Sequence, residues 1–167
     1  MGDTFVSWQA CADALEETSP YYSLAMINLG SQAYQNGDRA AALRFYDKAE
    51  RADAPLTGDV LFHTFRADVR SYAGREAEAL ADALIAWGYV EGGLRRVSPA
   101  DVIPLTDQGR GMVLATILPI LRQGDRAAFA RAKAMYASLP ASSWQELSMR
   151  AVVLAEIGRS RRSGIGQ

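Results

Sequence analysis

Apolar residues recur along this chain at spacings of three and four, and glycines, prolines and capping residues separate the runs. Val6 to Glu17 places Trp8, Cys11, Ala12 and Leu15 on one helical face. Ser19 and Pro20 then form an N-cap and first helical position, opening a second helix to about Asn36 that carries Leu24, Ile27, Leu29 and Tyr34. Gly37 offers a left-handed C-cap and Asp38 an N-cap for a third helix. That helix turns Ala42, Phe45, Tyr46 and Ala49 inward and ends near Asp53-Ala54-Pro55. A fourth helix is predicted from Asp59 to Gly74, with a stripe of Val60, Leu61, Phe65, Ala67 and Val69. A fifth follows Gly74 and ends at Gly92-Gly93, carrying Ala79, Leu80, Ala83, Leu84, Ala86 and Trp87.

The rhythm breaks between Leu94 and Gly109. Ser98-Pro99-Ala100-Asp101 has the form of a capping box, so a short helix is expected there, limited by Pro104. Thr106-Asp107 caps a sixth main helix, Arg110 to Gln123, which Pro119 is expected to kink or end early. A seventh, Arg126 to Ser138, stops at Leu139-Pro140, and Ser143 to Glu146 opens an eighth that runs to about Ile157. Nothing alternates with period two for long enough to form a strand. The expected class is all-α, with about eight helices in one domain over 1–158 and a flexible basic tail over 159–167.

Four of these breaks share one form: Gly37-Asp38, Gly74-Arg75, Gly124-Asp125 and Gly158-Arg159. Their spacing is about 35 residues apart from one longer gap, which the irregular stretch at 94–109 fills; such a period marks a helical solenoid. The first unit closely resembles a tetratricopeptide repeat. Leu29-Gly30, Gly37, Ala42, Tyr46 and Ala49 occupy the places of that family's motif, and Pro55 stands one residue late. The second unit keeps Ala67, Gly74, Ala79 and Ala86, with Ala83 where an aromatic belongs. The third keeps little beyond Gly124, and the fourth offers Ala151 and Gly158. The resemblance implies about three helical hairpins flanked by single helices, stacked as a right-handed superhelix with a concave face.

The same resemblance implies a function: binding a peptide or helix of a partner protein in the concave groove, as an adaptor or scaffold. The first helix of each pair lines that groove in the family. Carried onto this chain, the lining is Ile27, Ser31, Tyr34 and Gln35; then Leu61, Thr64, Asp68, Ser71 and Tyr72; then Leu114, Leu118, Leu121 and Arg122. The alternative is that 94–109 folds over the groove or that these residues are core. Some family members clamp a terminal carboxylate with Lys, Asn and Arg, but Ile27, Ser31 and Phe65 stand in the corresponding places, so that clamp is not expected. A secretion chaperone of the same repeat class is the runner-up, and a self-assembling scaffold the next. The eighth helix motivates the latter, because Trp144, Leu147, Val152, Val153, Leu154 and Ile157 make it apolar around much of its circumference.

Composition narrows the choices. The chain has 167 residues, 49% hydrophobic and 22% charged, with a net charge of −1, so no overall basic footprint for nucleic acid is present. Lys48 and Lys133 are the only lysines among many arginines and alanines, a bias pointing to a GC-rich bacterial genome. A single cysteine, Cys11, excludes an internal disulfide and any multi-cysteine metal site; it is expected to pack as a small hydrophobe in a reducing, cytoplasmic setting. The N-terminus lacks the pattern of a signal peptide, Val6 breaks a myristoylation signal, and the run Met112 to Leu121 is too short to span a bilayer. His63 is the only histidine, and Asp59 four residues earlier is its expected partner. Without a second histidine, a cysteine cluster, a nucleophile elbow or a phosphate loop, neither enzyme activity nor a cofactor or metal is expected. Arg159, Arg161 and Arg162 read as a solvated terminus.

Overall fold

The long apolar runs close into helices because their ends carry residues that satisfy the backbone there. The computed structural model describes residues 3–51, 59–96 and 101–159, with only the backbone described for 3–7 and 20. In chain order its elements are α1 (Asp3–Ala14), α2 (Pro20–Gln35), α3 (Arg39–Arg51), α4 (Val60–Tyr72), α5 (Glu76–Gly92), β1 (Leu94–Arg96), β2 (Val102–Pro104), α6 (Asp107–Gly124), α7 (Arg126–Ser138) and α8 (Trp144–Arg159). The class is all-α. The expected close of the third helix at Asp53-Ala54-Pro55, and the tail beyond Arg159, lie outside the described residues.

The caps are those expected. The Ser19 hydroxyl accepts from the Tyr21 amide, with Pro20 leading α2. Asp38, Thr106 and Asp125 accept from the amides of Ala41, Gly109 and Ala128 at 2.9, 3.0 and 2.9 Å. Gly37, Gly74 and Gly93 follow helix C-termini at φ of 81°, 77° and 70°, the left-handed region where a side chain is strained.

The other two turn glycines are different. Gly124 is the last residue of α6, and Asp125 alone joins α6 to α7 in extended backbone. Gly124 is small for another reason: an added Cβ would collide with the Leu80 side chain. Gly158 lies inside α8, which continues to Arg159. The four glycines therefore serve two purposes, a turn at Gly37 and Gly74 and a helix at Gly124 and Gly158.

The irregular segment also departs from expectation. Residues 98–100 of the expected short helix lie outside the described residues, and Val102–Pro104 form a strand. β2 pairs antiparallel with β1, with Arg95 opposite Ile103 and Leu94 opposite Pro104. Three-residue strands are too short to display period two, and the pairing is supplied by chain folding back on itself. α6 runs on through Pro119 rather than ending early.

α2 packs on α3, α4 on α5 and α6 on α7, with α1 on α2. Across these pairs α4 touches both α2 and α6, and α8 rests on α6 and α7. The largest core runs from α4 to α8 through Val60, Val90, Val113, Leu114, Ile117, Leu118 and Leu121. Smaller clusters join α1 to α2 and α3 around Ala25, Met26 and Ala49, and α2 and α3 to α4 around Tyr46, Phe62 and Val69.

One contact sets how closely α2 and α3 approach. Tyr46 has no accessible surface, and its ring lies over Gly30, where a Cβ would come within 2.5 Å. Its hydroxyl shares a hydrogen bond with Ser31 at 3.1 Å, and burial pushes its pKa up to about 12. Gly30→Ala should cost about 1–3 kcal/mol of stability in chemical denaturation, through overpacking. Gly88→Ala, in the exposed middle of α5 with open space at its Cβ, should instead stabilise by about 0.5–1 kcal/mol.

Candidate functional site

Helical spacing brings Tyr34 of α2 and Asp68 of α4 together where the pairs α2–α3 and α4–α5 meet. The Tyr34 hydroxyl donates to Asp68 Oδ2 at 2.8 Å, and its ring stacks on Phe65 with centroids 4.4 Å apart. Burial, then the Asp68 hydrogen bond and charge, raise the Tyr34 pKa well above its ordinary value. Arg39 Nε lies 3.4 Å from the same carboxylate, and its guanidinium sits 5.0 Å from the centroid of Tyr72. Tyr72 is 74% exposed. Gln35 and Ser71 are exposed beside this cluster, while Ile27, Ser31 and Leu61 are half-buried. Ser31 turns inward to Tyr46, and Ile27 and Leu61 pack against the core clusters.

The rest of the expected groove is closed. Thr64 is fully buried and donates to the Val60 carbonyl at 2.7 Å. Leu114, Leu118 and Leu121 have no accessible surface, because α4, α5, α7 and α8 all pack around α6. These four residues are core, and a partner cannot reach them without opening it. Arg122 is half-buried and donates to the Ile157 carbonyl at 3.1 Å, tying α6 to α8. The accessible part of the expected groove is thus the α2–α4 face.

His63 does not pair with Asp59. Asp59 accepts from Arg95 of β1, while His63 Nδ1 lies 3.0 Å from Asp82 Oδ1 on α5. Asp82 is 1% exposed and also receives Arg66 through Nε and Nη2, both at 2.8 Å, and Arg70 through Nη1 at 2.8 Å. Arg70 Nη2 continues to Glu50 of α3 at 2.6 Å. Burial pushes the Asp82 carboxyl up, but the His63 and Arg66 hydrogen bonds and the arginine charges outweigh it and hold the pKa below the usual range. The carboxylate is thereby committed to binding α4 and α5 together. Sequence reading missed this network, although His63, Arg66 and Arg70 share one face of an apolar helix and so signalled a buried anion opposite. Cys11, expected to pack inside, is exposed. Among the described residues no group of three or more His, Cys, Asp or Glu is placed to hold a metal ion.

Two depressions follow the ends of the later helices. A cleft of about 210 Å³ lies among Ser71, Glu76, Leu80, Ile120, Gln123 and Gly124. A cavity of about 790 Å³ adjoins it through Gln123 and lies against the last turn of α6 and the outer face of α7. Farther on, α8 buries Ile157 but leaves Leu147, Met149, Val152 and the 86%-exposed Trp144 at the surface. Its first turn is capped by Ser143, whose hydroxyl accepts from the Glu146 amide at 3.2 Å, while the Glu146 carboxylate turns back to Ser142. Among the described residues no helix is long and apolar enough to cross a membrane. No family model, curated protein or solved structure matches this chain.

Asp82→Ala should cost about 3–5 kcal/mol, since it leaves the buried Arg66 guanidinium without a carboxylate and Arg70 with Glu50 in place of two carboxylate partners. With its folded pKa below the unfolded value of about 3.9, the Asp82 contribution is complete above that pH and is lost as pH falls towards the folded pKa. Acid titration of stability, followed by denaturant melts, should therefore be shallower below about pH 4 in Asp82→Asn than in the parent.

Proposed function

We propose that this chain is a non-enzymatic, cytoplasmic protein-interaction module, an adaptor or scaffold built of tetratricopeptide-like helical pairs, and that its α2–α4 face holds a peptide or helix of a partner protein. The observation that carries the reading is the Tyr72 ring, exposed and in contact with the Arg39 guanidinium, which Asp68 holds while Tyr34 donates to Asp68. Tyrosine and arginine supply large contact areas at low entropic cost, and both are prominent among the residues that dominate interfaces. Pre-positioning lowers the cost of ordering them on binding. The repeat reading is supported by the left-handed Gly37 and Gly74 turns and by the Gly30–Tyr46 approach. Stacked pairs of this kind form superhelices with a concave binding face. With a partner captured from the host and identified by mass spectrometry, Tyr72→Ala should weaken its affinity roughly tenfold in calorimetry, about 1.4 kcal/mol. Thermal stability should change by no more than about 0.5 kcal/mol, as for an exposed position. Unchanged affinity would remove the α2–α4 face from the proposal.

A second reading, self-association, is favoured by α8. Trp144, Leu147 and Val152 lie exposed on a helix whose opposite face carries the buried Ile157. Sedimentation equilibrium should then show a dimer that Trp144→Asp with Val152→Asp converts to monomer. A parent protein that stays monomeric at the highest soluble concentration excludes it.

A further inference from the structure

The cavity on α7 has a chemistry that the α2–α4 face lacks. α7 spends its inner face, Ala128, Ala132 and Tyr136, on the core. Its outer face carries Arg126, Ala130, Lys133, Ala134 and Ala137 at helical spacing, and Phe129, Arg122 and Gln123 complete the lining. The lining beside the cations is therefore apolar, and its charged side chains, Arg122, Arg126 and Lys133, are all cations. Among the described residues no carboxylate lines the cavity. Among these described residues neither Arg126 nor Lys133 has an ion-pair partner, whereas Arg131 is paired with Glu91 at 3.6 Å.

This arrangement selects its occupant. A small-molecule site presents several convergent polar groups at the bottom of an enclosed pocket. Here alanines, Phe129 and the cations share one long helical face, and the cavity follows α7 for about three turns, some 16 Å at about 1.5 Å per residue. That is a bed for a length of chain. The path also has an approach: the smaller cleft shares Gln123 with the cavity and reaches Ser71, the neighbour of Tyr72.

We infer that the α7 cavity takes an acidic segment of the partner protein, with carboxylates against Arg126 and Lys133 and an apolar side chain on Phe129 and the alanines. This rests on the interaction-module reading and extends the bound chain from Tyr72, across the smaller cleft, to α7. Opposite charge at such a surface steers encounter and sets register, and it makes association sensitive to salt.

The test uses the full chain and two fluorescent amphipathic peptides, one of glutamate and leucine, the other with lysine replacing every glutamate. Anisotropy should show the acidic peptide binding at least about tenfold more tightly than the basic one, with affinity falling as salt is raised. Arg126→Glu with Lys133→Glu should abolish that preference. Ala134→Trp, which fills the cavity without altering charge, should weaken the acidic peptide alone. All three positions are exposed, and unchanged helical circular dichroism and melting confirm intact folding. Equal binding of the two peptides, absence of binding, or indifference to both variants overturns the inference. The captured host partner separates the two ideas. Loss on Tyr72→Ala with no effect of the α7 variants leaves the α2–α4 face standing and refutes the α7 site. Loss on the α7 variants alone supports the α7 site and refutes the α2–α4 face.

Discussion

A single carboxylate organises the middle of this molecule. Asp82 has almost no contact with water, and its two oxygens meet His63, Nε and Nη2 of Arg66 and Nη1 of Arg70. The attraction is set against the desolvation of every ion involved, so the net stabilisation is small compared with the cost of breaking the set. What the network fixes is register. Arg66 and Arg70 are one helical turn apart, and only one axial placement of α5 satisfies both. Arg70 then reaches Glu50, which seats α3 against α4, and Arg75 makes a further link to Asp47 of α3 at 2.9 Å. The order of α3, α4 and α5 follows from these few charges.

Close packing does the same for the flanking pairs by subtraction. Gly30 admits the Tyr46 ring, and Gly124 admits Leu80. Alanines at Ala42, Ala49, Ala67, Ala79, Ala83 and Ala86 have no accessible surface, so helices touch there with little side chain between them. Small residues at contacts let backbones approach, and the large ones beside them, Tyr46 and Trp87, fill the space that remains.

The packing of α4, α5, α7 and α8 around α6 limits where a partner can bind. The leucines of α6 become core, which closes the expected groove beyond α4. Surfaces with chemistry to offer among the described residues include the Tyr72–Arg39 platform, the basic cavity on α7 and the apolar face of α8. The first lies at the end where α4 turns into α5, and the second begins where α6 turns into α7 and runs along α7, the cleft at Ser71 and Gln123 lying between them. A partner chain lying along this path would meet aromatic, neutral and cationic surfaces in turn.

The sequence by itself determined the helices. Caps such as Ser19, Asp38 and Asp125, and breaks such as Gly37, Gly74 and Gly93, act within a few residues, so their signal is local and legible. It also determined part of the candidate site, since Tyr34, Asp68, Ser71 and Tyr72 are accessible on α2 and α4. Only the tertiary structure decided that Leu114, Leu118 and Leu121 are core, because burial of an apolar helix depends on how many neighbours it acquires. Only it placed His63 against Asp82 rather than Asp59, because a partner nineteen positions away competes with one four away through the packing of α5 on α4. The three-residue strands β1 and β2, and the cavity on α7, were decided there as well. A short strand exists by virtue of its pairing, and a cavity is the space that separate elements leave between them.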